Sequence, residues 1–264
     1  MKISLFSQSL FALDLETAIR VTGEIGYEAI EVACFGPHLH LQQARDEQDR
    51  IMGWIKAAGL EVSALSLSND FVREDRRAES VESTIGFIRL AKAYETGIVK
   101  ITPGGPSSLE ATEADFDIFR EGIQSVCHVA EEEGIRVVME THLRQLSDTT
   151  ASTLRLLEMG EPEVLGVNLD FCNVAFGGDD PVESIRQLKD RLYFTHIKNG
   201  VLKDGVYDFR RLDDGGVEYP RVIEELRRIR YKGVLSIECL GKEARTRARE
   251  TAAHDLRVLR RWMS

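Results

Sequence analysis

Four residues of metal-binding types end four short, strand-like segments in the second half of the chain. The segments are METH, NLDF, THIKN and SIECLG, and the residues are Glu140, Asp170, His196 and Glu238. Three carboxylates and one imidazole form an oxygen-rich set with a single nitrogen, which suits Mn²⁺, Mg²⁺ or Co²⁺ and also admits Zn²⁺. We predict that the four side chains bind one divalent metal, with Mn²⁺ as the expected ion. A single carboxylate at a strand end is more often a helix cap or a loop anchor, so the prediction depends on all four converging.

The elements that carry these residues alternate between strand-like and helical patterns along the whole chain. Eight apolar segments are predicted strands: 2–6, 28–33, 61–67, 97–102, 136–141, 164–170, 192–197 and 234–238. The spacing of apolar residues predicts helices between them, including 15–26, 81–97, 116–134 and 219–230. Glycines at 26, 59, 97, 134 and 233 precede the next strands and are expected to end helices. Repeated strand–helix units predict an α/β fold, a single (β/α)8 TIM barrel domain over residues 1–264.

The barrel explains how residues so far apart in sequence can meet. Active sites of such barrels form at the carboxyl ends of the strands, which is where the four residues lie. Side chains alternate between the interior and the exterior along a strand, so Glu140 is expected to share the interior with Val138 and His142. By the same rule, Lys198 is expected on the face of His196.

Composition and charge exclude several classes of function. The chain has 264 residues and a formal net charge of −10, and this negative field repels nucleic acid. No segment reaches the roughly 18 to 20 apolar residues that span a bilayer, and the amino terminus is not a signal peptide. The four cysteines show no CxxC spacing, which indicates a reduced protein in the cytoplasm. We expect a small-molecule substrate and no nucleic acid or membrane partner. Whether the protein forms a homo-oligomer is left open.

The segments METH, NLDF, THIKN and SIECLG, together with the opening KISL and the segment GYEAIEV, resemble the xylose isomerase-like superfamily of sugar phosphate isomerases and epimerases. The resemblance covers essentially the whole chain. It implies that Glu140, Asp170, His196 and Glu238 bind one divalent metal, and that Glu140 and Glu238 exchange the substrate proton. A metal next to a substrate carbonyl acidifies the neighbouring C–H bond and stabilises the enediolate. Isomerisation, epimerisation and dehydration can all proceed from that species.

Two positions depart from the sugar 3-epimerases of this superfamily. Those enzymes commonly carry a histidine where this chain has Asn173, and an arginine where it has Leu202. The segments around ETH, NLDF and HIKN are in turn similar to the 3-dehydroshikimate dehydratase branch, although Asn173 again replaces an expected histidine. Asn173 is therefore retained as a candidate substrate-binding residue.

Four further residues are candidates for contact with the substrate: His142, Lys198, Lys100 and Glu31. His142 and Lys198 lie two residues beyond proposed ligands and could bind substrate oxygens, or orient Glu140 and His196 instead. Lys100 could also extend to solvent. Glu31 ends the second strand and could contact substrate, support another side chain or form a structural salt bridge.

The leading hypothesis is a divalent-metal-dependent isomerase or epimerase of a small sugar, sugar phosphate or polyol ketone. Its alternative is a dehydratase of a cyclic polyhydroxy ketone such as 3-dehydroshikimate or an inosose. An endonuclease IV-like repair protein would need several extra histidine ligands for its zinc cluster and a basic groove for DNA, and six histidines in total with a net charge of −10 disfavour it. A metal-binding barrel without catalytic activity is the remaining alternative.

Overall fold

The computed structural model describes all 264 residues, and eight of its strands form a closed parallel barrel. The barrel strands are β1 (Lys2–Phe6), β2 (Ala29–Ala33), β3 (Glu61–Ser66), β4 (Ile98–Ile101), β5 (Arg136–Glu140), β6 (Leu165–Asp170), β7 (Leu192–Ile197) and β10 (Val234–Ile237). Each pairs with its sequence neighbours, and β10 closes the ring by pairing with β1 from Lys2↔Val234 to Leu5↔Ile237. The predicted (β/α)8 barrel and its eight strands are confirmed.

Helices surround the barrel on the connections between strands. They are α1 (Leu15–Ile25), α2 (Leu41–Asp46), α3 (Gln48–Ala57), α4 (Glu74–Ala91), α5 (Glu113–Glu133), α6 (Thr150–Leu157), α7 (Phe171–Phe176), α8 (Pro181–Leu188), α9 (Tyr219–Arg228), α10 (Gly241–Thr246) and α11 (Ala248–Met263). Their apolar faces pack on the outer sides of the strands and form the main hydrophobic core. None of the helices has the length and apolar composition needed to cross a bilayer.

Some predicted helix ends are wrong. The helix predicted over 81–97 is α4, which begins at Glu74 and ends at Ala91. Gly26, Gly59 and Gly134 adopt the left-handed conformation expected after a helix, but Gly97 and Gly233 do not. The left-handed residues after α4 and α9 are Glu95 (φ 55°) and Arg230 (φ 58°), since non-glycine residues can also take this position at some cost.

The barrel interior is layered along the strand direction. Ala64, Val138 and Phe194, from the alternate strands β3, β5 and β7, form a small apolar cluster separate from the main core. The residues two positions further along these strands are Ser66, Glu140 and His196, and all three are buried. Since side chains alternate along a strand, a polar layer follows the apolar one toward the carboxyl ends of the strands.

Two strands lie outside the barrel and were not predicted. β8 (Asn199–Lys203) and β9 (Val206–Arg210) form an antiparallel hairpin directly after β7. Asp204 and Gly205 connect them, with φ values of 52° and 75°. An Asp-Gly pair between two alternating segments is a strong hairpin signal, so this element was readable from the sequence. The hairpin stands beside the open end of the barrel.

Candidate metal centre

The ends of β5, β6, β7 and β10 bring four side chains to one point. Glu140, Asp170, His196 and Glu238, hereafter the tetrad, offer ligand atoms that all lie within 4.8 Å of one another. All four are buried. His196 Nδ1 is 3.4 Å from Glu140 Oε1, 3.8 Å from Glu238 Oε2 and 3.9 Å from Asp170 Oδ2. The structure thus gathers the residues singled out in the sequence, and their role as metal ligands remains a prediction.

Glu31 fixes the orientation of the His196 ring. Its carboxylate oxygens lie 2.9 Å and 3.0 Å from His196 Nε2, and it accepts hydrogen bonds from Ser66 and Ser236. Burial raises the pKa of the Glu31 carboxyl, but His196, together with Lys100 and Ser236, outweighs burial and holds that pKa below its usual range. Glu31 is fully buried behind His196, and both of its oxygens are bonded. These contacts fit the alternative in which Glu31 orients His196, and they leave no oxygen for the predicted contact with substrate.

Asp170 combines a structural and a candidate ligand role. Its Oδ1 accepts hydrogen bonds from the backbone amides of Cys172 (3.0 Å) and Asn173 (2.9 Å), which caps the amino end of α7. Its Oδ2 lies 2.8 Å from Lys198 Nζ without hydrogen-bond geometry. Burial raises the pKa of Asp170, and nearby Glu238 and Glu140 add to this effect against the opposing charge of Lys198.

Two buried lysines balance part of this negative charge. Lys100 Nζ donates to Glu140 Oε2 at 2.7 Å, and Lys198 Nζ donates to Glu238 Oε2 at 2.8 Å. Burial raises the pKa of Glu140, but Lys100 and His196 reverse this and hold it well below its usual range. Burial lowers the pKa of Lys198, but Asp170 and Glu238 raise it well above its usual range. Both lysines are therefore ion-pair partners of the tetrad.

The remaining charge fits a divalent cation. With His196 neutral, as a metal ligand must be, four buried carboxylates (Glu31, Glu140, Asp170 and Glu238) face two buried ammonium groups (Lys100 and Lys198), which leaves a deficit of two positive charges. Buried charges are stable only when they are paired or bind a metal. His196 Nδ1 and Asp170 Oδ2 are also buried without a hydrogen-bond partner. One divalent cation would supply the missing charge and engage both atoms, so the residues fit the predicted metal.

A proton competes with a cation for His196. Burial lowers the pKa of the imidazole, but Glu31 and Glu140 outweigh burial and raise it to about 10. A metal-bound histidine must be neutral at the ligating nitrogen. Since Glu31 holds Nε2, the nitrogen left for either a proton or a cation is Nδ1.

A cavity of about 260 Å³ opens above the tetrad. Glu140 and Glu238 line it, whereas Asp170 and His196 lie beneath its surface. Of the predicted substrate residues, four line it: Lys100, His142, Asn173 and Lys198. The two glutamates are thus the tetrad members in contact with the space where a substrate would bind.

His142 and Asn173 are held by neighbouring backbone carbonyls. His142 Nδ1 lies 3.0 Å from Leu143 O. Because a carbonyl oxygen only accepts hydrogen bonds, Nδ1 is the donor here. In a neutral ring Nε2 is then a hydrogen-bond acceptor. The Asn173 amide donates to Thr141 O at 3.0 Å. Both side chains are therefore positioned at the cavity by the protein itself.

The chain matches the family model described as "Xylose isomerase-like TIM barrel" over residues 19–262. This match covers most of the chain, including all four tetrad residues. The chain belongs to the xylose isomerase-like TIM barrel family. The resemblance seen in the sequence is confirmed.

Within this family, the chain is similar to proteins named as dehydratases. It is 27% identical over 246 residues to a 3-dehydroshikimate dehydratase of Bacillus anthracis, covering 84% of each chain. It is 22% identical over 142 residues to an inosose dehydratase of Geobacillus kaustophilus, covering 48% of this chain and 46% of that protein.

Two solved structures share the fold. The structure titled IOLI protein with a binding zinc atom superposes with a TM-score of 0.85 at 17% identity, covering 100% of this chain and 98% of that one. An L-ribulose 3-epimerase superposes with a TM-score of 0.81 at 20% identity, covering 99% and 94%. At these identities the likeness establishes the fold alone.

Several residues that line the cavity of this xylose isomerase-like barrel were not found from the sequence, among them three from a loop and a hairpin. Arg144, Tyr207 and Phe209, hereafter the outer wall, come from the loop after β5 and from the hairpin. Tyr207 stacks on Phe176 with ring centroids 5.1 Å apart. Their place depends on how a loop and a hairpin fold over the barrel, which strand periodicity does not reveal. Leu202, by contrast, is 49% exposed on the hairpin and does not line the cavity.

Proposed function

We propose that this protein is a divalent-metal-dependent dehydratase that removes water from a small cyclic polyhydroxy ketone. The tetrad is proposed to bind the metal, and Glu238 to move the substrate proton. The family membership and the similarity to a 3-dehydroshikimate dehydratase over most of both chains support this proposal. Of the two reactions considered from the sequence, it is the one that the named relatives favour.

The observation that carries the proposal is an asymmetry between the two glutamates at the cavity. Glu140 Oε1 and Glu238 Oε2 are the oxygens near His196 Nδ1. The other oxygen of Glu140 accepts from Lys100 at 2.7 Å, whereas Glu238 Oε1 has no hydrogen-bond partner. A free carboxylate oxygen at the cavity is a candidate base. Elimination needs one such base, whereas epimerisation through two carboxylates needs two. Isomerisation also needs only one base, and against it the similarity to a named dehydratase favours elimination.

The chain's own residues can carry out the proton movements. A divalent cation bound by the tetrad would polarise the substrate carbonyl and acidify the neighbouring C–H bond. Glu238 Oε1 takes that proton, a C=C bond forms, and the C–O bond to the β-hydroxyl breaks. The proton then passes from Glu238 to the departing hydroxyl, so that water leaves and the carboxylate is restored. Lys198 stays charged and stabilises the developing negative charge, and His142 Nε2 can accept a hydrogen bond from a substrate hydroxyl.

The test is dehydration by the Mn²⁺-loaded protein, with 3-dehydroshikimate and an inosose as substrates. We expect a rise in the absorbance of the conjugated product with at least one of them. Glu238→Gln is expected to lower kcat by about 10²- to 10⁴-fold, because the base is lost while the side chain keeps its shape. Glu250→Gln, on the exposed side of α11, is the matched control and is expected to leave kcat unchanged. No absorbance rise with either substrate, or a Glu238→Gln variant as active as the wild type, would contradict the proposal.

Isomerisation or epimerisation of a sugar remains the second candidate, because both glutamates line the cavity. Its signature is uptake of solvent deuterium into a ketose without loss of water. If Glu140→Gln and Glu238→Gln both abolish that exchange and no conjugated product forms, this candidate replaces the dehydratase.

A further inference from the structure

One charged side chain at the cavity has no partner. Six residues with acidic or basic side chains line it: Lys100, Glu140, His142, Arg144, Lys198 and Glu238. Five form hydrogen bonds or ion pairs, as described above. Arg144 forms neither with any residue of the chain, so its guanidinium is free to bind a ligand.

The backbone that carries the exposed Arg144 side chain is nevertheless held in a defined conformation. This backbone is left-handed (φ 59°), a conformation that costs free energy for a residue other than glycine. The next two residues tie the loop to Gly104, whose amide donates to Gln145 Oε1 at 2.8 Å and whose carbonyl accepts from Leu146 at 3.1 Å. The guanidinium carbon lies 5.6 Å from the ring centre of Tyr207 in the outer wall. A strained and anchored loop therefore supports this arginine beside the cavity.

The charge of Arg144 indicates the kind of group it would bind. With a divalent cation at the tetrad and His196 neutral, the charges of the four buried carboxylates at and beneath the cavity are balanced. Arg144 then adds one positive charge without a counter-charge. A guanidinium offers parallel N–H donors that match a planar carboxylate, and such bidentate pairs are among the stronger hydrogen bonds in proteins. A substrate with a single carboxylate fits this site better than a neutral polyol.

We propose that Arg144 binds a carboxylate on the substrate and thereby selects a carboxylated cyclic polyhydroxy ketone over an uncharged one. This inference rests on the proposed dehydratase function, since it names the substrate class of the same cavity. The outer wall then selects the substrate, and the tetrad residue Glu238 transfers the proton.

The test compares two rings that differ only in the carboxylate, 3,4-dihydroxybenzoate and catechol. Calorimetry with the Mn²⁺-loaded protein gives their Kd values. We expect the wild type to bind 3,4-dihydroxybenzoate about 10- to 100-fold more tightly than catechol, as for a hydrogen bond to a charged group. Arg144→Met is expected to abolish that preference without changing the Kd of catechol. Arg144→Lys, which keeps the charge but not the paired donors, is expected to retain part of it.

Arg230→Met is the matched control, because Arg230 is also left-handed and unpaired but follows α9, away from the cavity. We expect it to behave as the wild type. Equal binding of both rings by the wild type, an unchanged preference in Arg144→Met, or an equal loss for both rings would each overturn the inference.

These outcomes are distinct from those of the function test. If no substrate is dehydrated while Arg144→Met still removes the preference for the carboxylated ring, the dehydratase proposal fails and the role of Arg144 stands. If dehydration proceeds and the preference for the carboxylated ring is absent or independent of Arg144, the dehydratase proposal stands and the role of Arg144 fails.

Discussion

The tetrad and the outer wall of the cavity are built from different parts of the fold. Tetrad residues lie at or directly after the ends of barrel strands, and hydrogen bonds or ion pairs to Glu31, Lys100 and Lys198 hold them in place. The outer wall comes from a loop and a hairpin, and its aromatic rings are half-buried and held mainly by stacking. The comparison suggests that the rigid frame carries the chemistry, whereas a wall that can vary independently selects the substrate.

The first prediction compares the tetrad and the outer-wall hairpin by their effect on the affinity for the metal. Asp170→Asn removes a ligand charge but keeps an oxygen that can cap α7. We expect the Kd for Mn²⁺ to rise by more than about 100-fold, since loss of a ligand should exceed the effect of losing a supporting residue. Isothermal titration calorimetry measures it. Asp208→Asn, on the exposed side of the hairpin, is the control, and equal affinities in the two variants would remove the distinction between the regions.

The second prediction concerns pH. Burial alone would lower the pKa of His196, but Glu31 and Glu140 raise it to about 10, so the ring is protonated near neutral pH. A cation must displace that proton, and its affinity should rise about tenfold per pH unit below this value. Calorimetry in buffers of different ionisation enthalpy should report release of about one proton. Metal affinity that does not change with pH would contradict a cation bound at Nδ1.

The third prediction tests the support beneath the tetrad. Glu31→Gln weakens the hold on His196 Nε2, and we expect Mn²⁺ affinity to fall by about 10- to 100-fold. Glu61→Gln, an exposed glutamate paired with Lys2, should leave the affinity unchanged. A Glu31→Gln variant with wild-type metal affinity would show that the ring needs no such support.

The same division explains what the sequence could predict. Strand periodicity fixes both the strand ends and the inward face, so the barrel and the meeting of Glu140, Asp170, His196 and Glu238 followed from the sequence. The burial of Glu31 behind His196 did not, because it depends on contacts between strands that are distant in the chain. Arg144 and Tyr207 were missed because their approach to the cavity depends on loop geometry. The Asp204-Gly205 turn indicated a hairpin but not its position.

The fourth prediction has the smallest effect and concerns the outer wall alone. Tyr207→Ala removes the ring that packs against Phe176 and Arg144, and we expect KM to rise about 3- to 10-fold, the scale of one aromatic contact. The Kd for Mn²⁺ should not change. Tyr193→Ala is the matched control, since Tyr193 also supports an arginine, Arg136, but at the opposite end of the barrel. A loss of metal affinity in Tyr207→Ala would mean that the two regions are not independent.

The most direct test of the central claim is anomalous diffraction from a crystal of the protein grown with Mn²⁺. The account predicts one strong anomalous peak between Glu140, Asp170, His196 and Glu238, on the Nδ1 side of the imidazole, with Glu31 still bonded to Nε2. A peak elsewhere, or no peak at a Mn²⁺ concentration well above the calorimetric Kd, would contradict it.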